Sequence, residues 1–151
     1  ILMGSEIPFP FKIQPSKIML KEMPADVIAS MPLLDDWGIP SRLTSLNDYA
    51  GCFNGYVTEL ASIWLEKLDD DQRQEVEIFS CGPTPMLKAV SELANKYDLP
   101  CQVSLEEYMA CAVGGCAGCT VLIKTENGNA MKRVCVDGPV FEAKSVVQFQ
   151  N

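Results

Sequence analysis

Cys111, Cys116 and Cys119 stand at the spacing C-x4-C-x2-C, and Cys135 follows sixteen positions later. Four thiolates in that order can hold a metal centre, and the first three positions match the plant-type [2Fe–2S] ligand spacing. The residues around and between them are small: Ala110, Ala112, Gly114, Gly115, Ala117 and Gly118. Such a loop can wrap closely and aim backbone N–H groups at the sulfurs, which together with burial and net charge sets the potential of a cluster. An all-cysteine zinc site needs the same four thiolates and would be purely structural. Zinc tolerates bulky loop residues, so the glycine and alanine density favours iron–sulfur. A disulfide framework fits less well, because clustered cysteines in a chain with no secretory signal more often bind metal or do redox chemistry.

The chain has 151 residues and His 0, which excludes Ser/His/Asp and Cys/His nucleophile machinery, mixed cysteine–histidine zinc fingers and Rieske-type centres. With Lys+Arg 12 against Asp+Glu 20 the net charge is −8, the opposite of a phosphate-neutralising surface. Nucleic acid and anionic membranes are therefore not expected partners. The uncharged stretch from Tyr108 to Ile123 is broken by Gly114, Gly115 and Gly118, so no membrane span is expected. The start, Ile1-Leu2-Met3-Gly4-Ser5-Glu6, has neither a basic n-region nor a long apolar core. It also lacks an initiator methionine, and the expectation is a piece of a longer, cytoplasmic protein.

The thiols need elements to position them. Prolines at 8, 10, 15, 24, 32 and 40 allow only short pieces early in the chain. Ile1-Leu2-Met3 and Lys17 to Leu20 are expected as strands, Asp26 to Met31 as a helix of about two turns, and Ser41 to Ser45 as a strand before a loop from Asn47 to Gly55. Val57, Leu60, Ala61, Trp64, Leu65 and Leu68 form one apolar helical stripe that the Asp69-Asp70-Asp71 run ends. A strand through Val76, Ile78 and Phe79 stops at Cys81-Gly82-Pro83. Thr84 as N-cap and Pro85 at N1 then start a helix carrying Met86, Leu87, Val90, Leu93, Ala94 and Tyr97.

A further strand, Cys101 to Leu105, completes a βαβ pattern and argues for a parallel sheet. Thr120 to Thr125 pairs with Ala130 to Val136 through Asn127-Gly128, a register that sets Cys135 opposite Thr120 and next to Cys119. The fold class is α/β: a parallel-sheet unit with covering helices over 1–107 and a small β-rich, cysteine-bearing unit over 108–151.

Three thiols lie outside the cluster. Cys52 and Cys101 read as small buried hydrophobes. Cys81-Gly82-Pro83 ends a strand where α/β proteins dock ligands, and the free N–H groups of the following helix could face a phosphate. Glycine at a strand-to-helix turn more often serves backbone geometry, and no G-x-G-x-x-G or P-loop supports nucleotide binding independently. Lys132 and Arg133 either offset thiolate charge or form an exposed hairpin face.

Cys81-Gly82-Pro83-Thr84-Pro85-Met86-Leu87, the stretch Ser104 to Cys119, and Val134-Cys135-Val136-Asp137-Gly138-Pro139-Val140-Phe141 together resemble the electron-transfer subunits of dihydroorotate dehydrogenase. These belong to the ferredoxin reductase superfamily, in which a barrel binds FAD, an α/β domain binds NAD(P)H, and this subgroup adds a C-terminal [2Fe–2S] domain.

The resemblance implies that Cys111, Cys116, Cys119 and Cys135 are the cluster ligands, and that Cys81, Gly82 and Pro83 form the turn beside the nicotinamide. It implies electron relay to a catalytic dehydrogenase or a hydrogenase-like subunit, and a homo-oligomer is compatible with it. Hydrogenase and ferredoxin:NADP oxidoreductase subunits are the alternative within the superfamily, and a zinc-stabilised interaction module is the alternative outside it. Asp48-Tyr49-Ala50-Gly51-Cys52 departs from the family's acidic, glycine-rich loop. The FAD barrel and the first strand of the nucleotide domain have no counterpart here. A continuous parallel sheet centred on Ile1 to Met3 would argue against a C-terminal piece.

Overall fold

The computed structural model describes residues 1–111 and 113–150, and these pack as two compact units, Ile1–Arg73 and Gln74–Asn151. In the first unit, β1 (Leu2–Gly4) pairs in parallel with a later strand, Arg42–Ser45. Between them lie β2 (Gln14–Pro15), β3 (Ala29–Ser30) and the short helix α1 (Pro32–Asp36). Arg42–Ser45 is β4, and β5 (Phe53–Asn54) pairs with its other edge, so the sheet order is β1-β4-β5, all parallel. Ile1 to Met3 thus lies at a sheet edge and not at a centre.

Helix α2 (Val57–Lys67) buries Leu60 and Leu65, in line with the apolar stripe. Its start is held by the Glu59 carboxylate, which accepts from the Tyr56 N–H at 2.7 Å. Gly4 permits the helix to approach, since a Cβ there would stand 3.0 Å from Val57 Cγ1. A second short helix, α3 (Asp70–Gln74), follows the aspartate run.

Two early expectations are corrected. Asp26 to Met31 is not helical: Ala29–Ser30 pairs antiparallel with Gln14–Pro15, and the helix begins at Pro32. The residue before a proline is pushed away from helical angles, and proline is preorganised for the first helical turn. Lys17 to Leu20 is not a strand either, because the Lys17 N–H is taken by the Asp35 carboxylate at 2.7 Å.

The second unit opens with β6 (Ile78–Cys81), α4 (Thr84–Tyr97) and β7 (Cys101–Ser104), with β6 and β7 parallel as expected of a βαβ unit. The helix starts one residue earlier than its sequence signals suggest, with Pro83 rather than Thr84 at the cap. Next come the hairpin strands β8 (Thr120–Thr125) and β9 (Gly128–Arg133), a single helical turn α5 (Val134–Asp137), and β10 (Val140–Glu142), which adds antiparallel to β7.

One core unites these pieces: Leu87, Val90 and Ala94 from α4, Val103 from β7, Val121 and Ile123 from β8, and Val134, Val146 and Phe149. Burying one such aliphatic side chain is worth roughly 1.5–3 kcal/mol. The βαβ unit and the cysteine-bearing hairpin therefore share their packing. This division by packing is distinct from the chemical partition at 107/108.

Candidate metal centre

The strand pairing brings the cysteine segments together by a route that differs from the expected one. Thr120 faces Arg133, not Cys135, because the two-residue turn is Glu126-Asn127 and the register is shifted by two. Gly128, at φ +103, is the first residue of the returning strand, a conformation that favours glycine. The Val134 N–H donates to the Cys119 carbonyl at 3.0 Å, and the chain then coils into α5. That coil swings Cys135 back, so its Sγ lies 3.2 Å from Cys119 Sγ. The adjacency is as expected, but a helical turn produces it.

The remaining two thiols belong to the loop that precedes β8. Backbone N–H groups of Cys116, Val113 and Gly115 face the Cys111 thiol, and these donors pull it down to about 6. The Cys116 side chain also approaches it, while Cys116 Sγ accepts from the Gly118 N–H at 3.4 Å. Ala117 holds a left-handed φ of 56, and its carbonyl accepts from Thr120 Oγ1 at 3.1 Å, which fixes the end of the loop against β8. Ala112, one of the small residues expected to let the loop wrap, lies outside the described residues.

The four thiols form two pairs, Cys111 with Cys116 and Cys119 with Cys135. Within the second pair, the backbone and side chain of Cys135 donate toward Cys119 and lower its thiol. Cys135 is raised by its role as the donor, by burial, and by the negative charge of Cys119 and Cys111. Cys111 and Cys135 thus feel each other across the two pairs. Among the described residues, no three thiol or carboxylate groups converge so as to hold one metal ion. Thiolate is a soft donor that holds both zinc and iron–sulfur centres. The soft donors, the N–H groups aimed at sulfur and the pairing all fit a [2Fe–2S] cluster.

Cys81 ends β6 in register with Ser104, and its exposed thiol lies 3.9 Å from Glu106 Oε1. Gly82 has φ +154, a conformation that side chains rarely adopt, and a Cβ there would stand 2.5 Å from the flexible end of Met86 at Cε. Cys101 is buried, and burial with the Glu142 carboxylate pushes its thiol up to about 11; Cys52 is raised by burial alone.

The structure gives two polar residues beside Cys135 specific contacts that the sequence did not define. Asp137 accepts from the Arg133 N–H at 2.8 Å and so closes α5, and Arg133 Nη1 donates to the Gly114 carbonyl at 2.6 Å. A carboxylate four positions after a charged strand end, flanking a cysteine, was the available signal.

Residues 106–147 match the family model of the iron-sulfur cluster binding domain of dihydroorotate dehydrogenase B. The electron transfer subunit of dihydroorotate dehydrogenase B (NAD(+)) from Caldanaerobacter subterraneus is 51% identical over 74 residues, which is 48% of this chain and 30% of that protein. Over that stretch the chain is similar to these electron transfer subunits. A probable subunit of the same kind from Methanocaldococcus jannaschii is 42% identical over 109 residues, covering 72% of this chain and 38% of that protein. The chain thus spans about a third of the length of these relatives.

Among solved structures, that of an NADH-dependent reduced ferredoxin-NADP oxidoreductase superposes with a TM-score of 0.56 at 24% identity, covering 79% of this chain and 39% of that one. It shares the mixed α/β fold. The family match spans Glu106 to Val147 and so includes all four paired cysteines. No helix among the described residues is long and apolar enough to cross a membrane.

Proposed function

We propose that this chain relays electrons through a [2Fe–2S] cluster held by Cys111, Cys116, Cys119 and Cys135, as part of a reductase whose catalytic partner is a separate dehydrogenase subunit. The observation that carries this reading is the pairing of thiols from two segments, with Cys119 and Cys135 at 3.2 Å and Cys111 facing three backbone donors. When bound, such a cluster accepts and releases single electrons. The chain's own residues hold it by thiolate, neutralise part of its charge with N–H groups, and keep one side of the loop open. Val113 is 85% exposed and Tyr108 94% exposed, so a partner can approach beside the ligands.

The chemical partition places the cluster module at 108–151 and a partial nucleotide-binding module at 1–107. In the second, Cys81, Gly82 and Pro83 would flank a nicotinamide at the carboxyl end of β6, where α/β sheets take ligands. NAD(P) and FAD are then the further cofactors of the complete reductase, a cytoplasmic protein, and the electron acceptor is the catalytic subunit. By this division, hydride chemistry occurs at flavin and nicotinamide and single electrons leave through the thiolate site.

Anaerobic purification with iron, sulfide and zinc analysis tests the reading. A red-brown, dithionite-reducible chromophore supports it, and a colourless protein containing one zinc contradicts it. Saturable NADH binding that Gly82→Val weakens would support the nucleotide assignment.

A further inference from the structure

We infer that Arg133 is a positioning residue of the thiolate site: by holding the Gly114 carbonyl it fixes the loop between Cys111 and Cys116 against the segment that carries Cys135. The inference rests on the cluster reading given above.

Gly114 and Gly115 share one trans peptide, so the carbonyl of the first and the N–H of the second point in opposite directions. Arg133 Nη1 takes the carbonyl at 2.6 Å. The Gly115 N–H is thereby fixed at the opposite edge of the same peptide, within the loop that joins Cys111 to Cys116. Arg133 is itself anchored, since Asp137 Oδ2 accepts from its backbone N–H at 2.8 Å and lies 3.8 Å from its Nε.

A second contact locks the same peptide. Gly114 is buried with φ +75, and a Cβ on it would stand 2.5 Å from Val136 Cγ2. The contacts therefore run from residues 133 and 136, on either side of Cys135, to a loop residue between Cys111 and Cys116. They clasp the two ligand-bearing segments together at a point that is not itself a ligand.

Hydrogen bonds to ligand sulfur, like nearby positive charge, favour the reduced and more negative state of a cluster. Losing the Arg133 clasp should therefore lower the potential. The charge contribution is separable from the positioning one, because Lys132 is the preceding residue of β9 and its side chain leaves the opposite face.

The test compares Arg133→Met, Arg133→Lys and Lys132→Met in the cluster-loaded protein, reading iron content, the EPR spectrum after reduction and the midpoint potential. In Arg133→Met the reduced-to-oxidised ratio at a fixed applied potential should fall about tenfold, a negative shift of about 59 mV for one electron, with altered EPR g-values. Lys132→Met should leave both unchanged. Arg133→Lys, which can still reach the Gly114 carbonyl with one donor, should recover most of the loss.

Equal shifts in Arg133→Met and Lys132→Met, or none in either, would overturn the inference. If Arg133→Met takes up no iron, the lysine variant decides. Parental iron content there supports the clasp, and loss there too assigns Arg133 to folding of the hairpin and overturns it. A parental protein without a chromophore removes the cluster reading itself and is recognised before any variant is made.

Discussion

Cys119 and Cys135 place their sulfurs 3.2 Å apart across sixteen positions of sequence. A buried hairpin end and a single helical turn create that proximity. The Cys119 carbonyl accepts from the Val134 N–H, Val134 is fully buried beneath it, and α5 turns the next side chain back toward the loop. The thiol pair is thus held by backbone hydrogen bonding and core packing.

Cys135→Ser should abolish the visible chromophore, because a serine hydroxyl replaces one of four thiolates. Cys52→Ser should leave the spectrum intact, since Cys52 is not one of the four proposed ligands. Absorbance and iron content of the two purified variants check this. Bleaching in both, or in neither, would count against the ligand set.

Gly114→Ala should damage the site where Gly115→Ala does not. An added methyl at Gly114 meets Val136 at 2.5 Å and must adopt φ +75, whereas one at Gly115 meets nothing within 4 Å. The left-handed conformation alone costs about 1–2 kcal/mol. Iron retained per chain after desalting, compared between the two variants, is the measurement.

Leu87→Ala should destabilise the second unit by about 2–5 kcal/mol, the usual range for a buried leucine. Leu87 is 1% exposed and packs in the core that also contains Cys119. Urea denaturation monitored by far-UV circular dichroism and by the chromophore should therefore shift together.

Cys101 should resist alkylation at pH 8 while the exposed Cys81 reacts. Its thiol, held up to about 11 by burial and Glu142, stays protonated in the folded chain but ionises near the ordinary value of 9.0 once unfolded. Between those values the folded state binds more protons, so stability should fall as pH rises from about 9 to about 11. Cys101→Ala should flatten that decline in denaturation curves taken across the window.

Much of the frame was legible because its signals are local. The C-x4-C-x2-C spacing, the stripe from Val57 to Leu65, and the strand-turn-helix around Cys81 each follow from neighbouring residues, and the structure has the corresponding elements. Weak local signals misled where tertiary pairing decided. Ala29 and Ser30 become a strand because Gln14 and Pro15 are available to pair, and Lys17 forgoes a strand because Asp35, eighteen positions away, captures its N–H.

The hairpin register depended on which of two adjacent positions began the turn, and Glu126-Asn127 prevailed over Asn127-Gly128. At the site, the four cysteines were visible as residue types. The Arg133 clasp was not, because its partner is a backbone carbonyl nineteen positions away and carbonyls carry no sequence signature.

The most direct test of the central claim is metal analysis of the anaerobically purified chain together with EPR before and after reduction. The account predicts about two irons and two sulfides per chain, with no signal when oxidised and a spin-one-half signal when reduced. One zinc per chain, no labile sulfide and no signal in either state would contradict it.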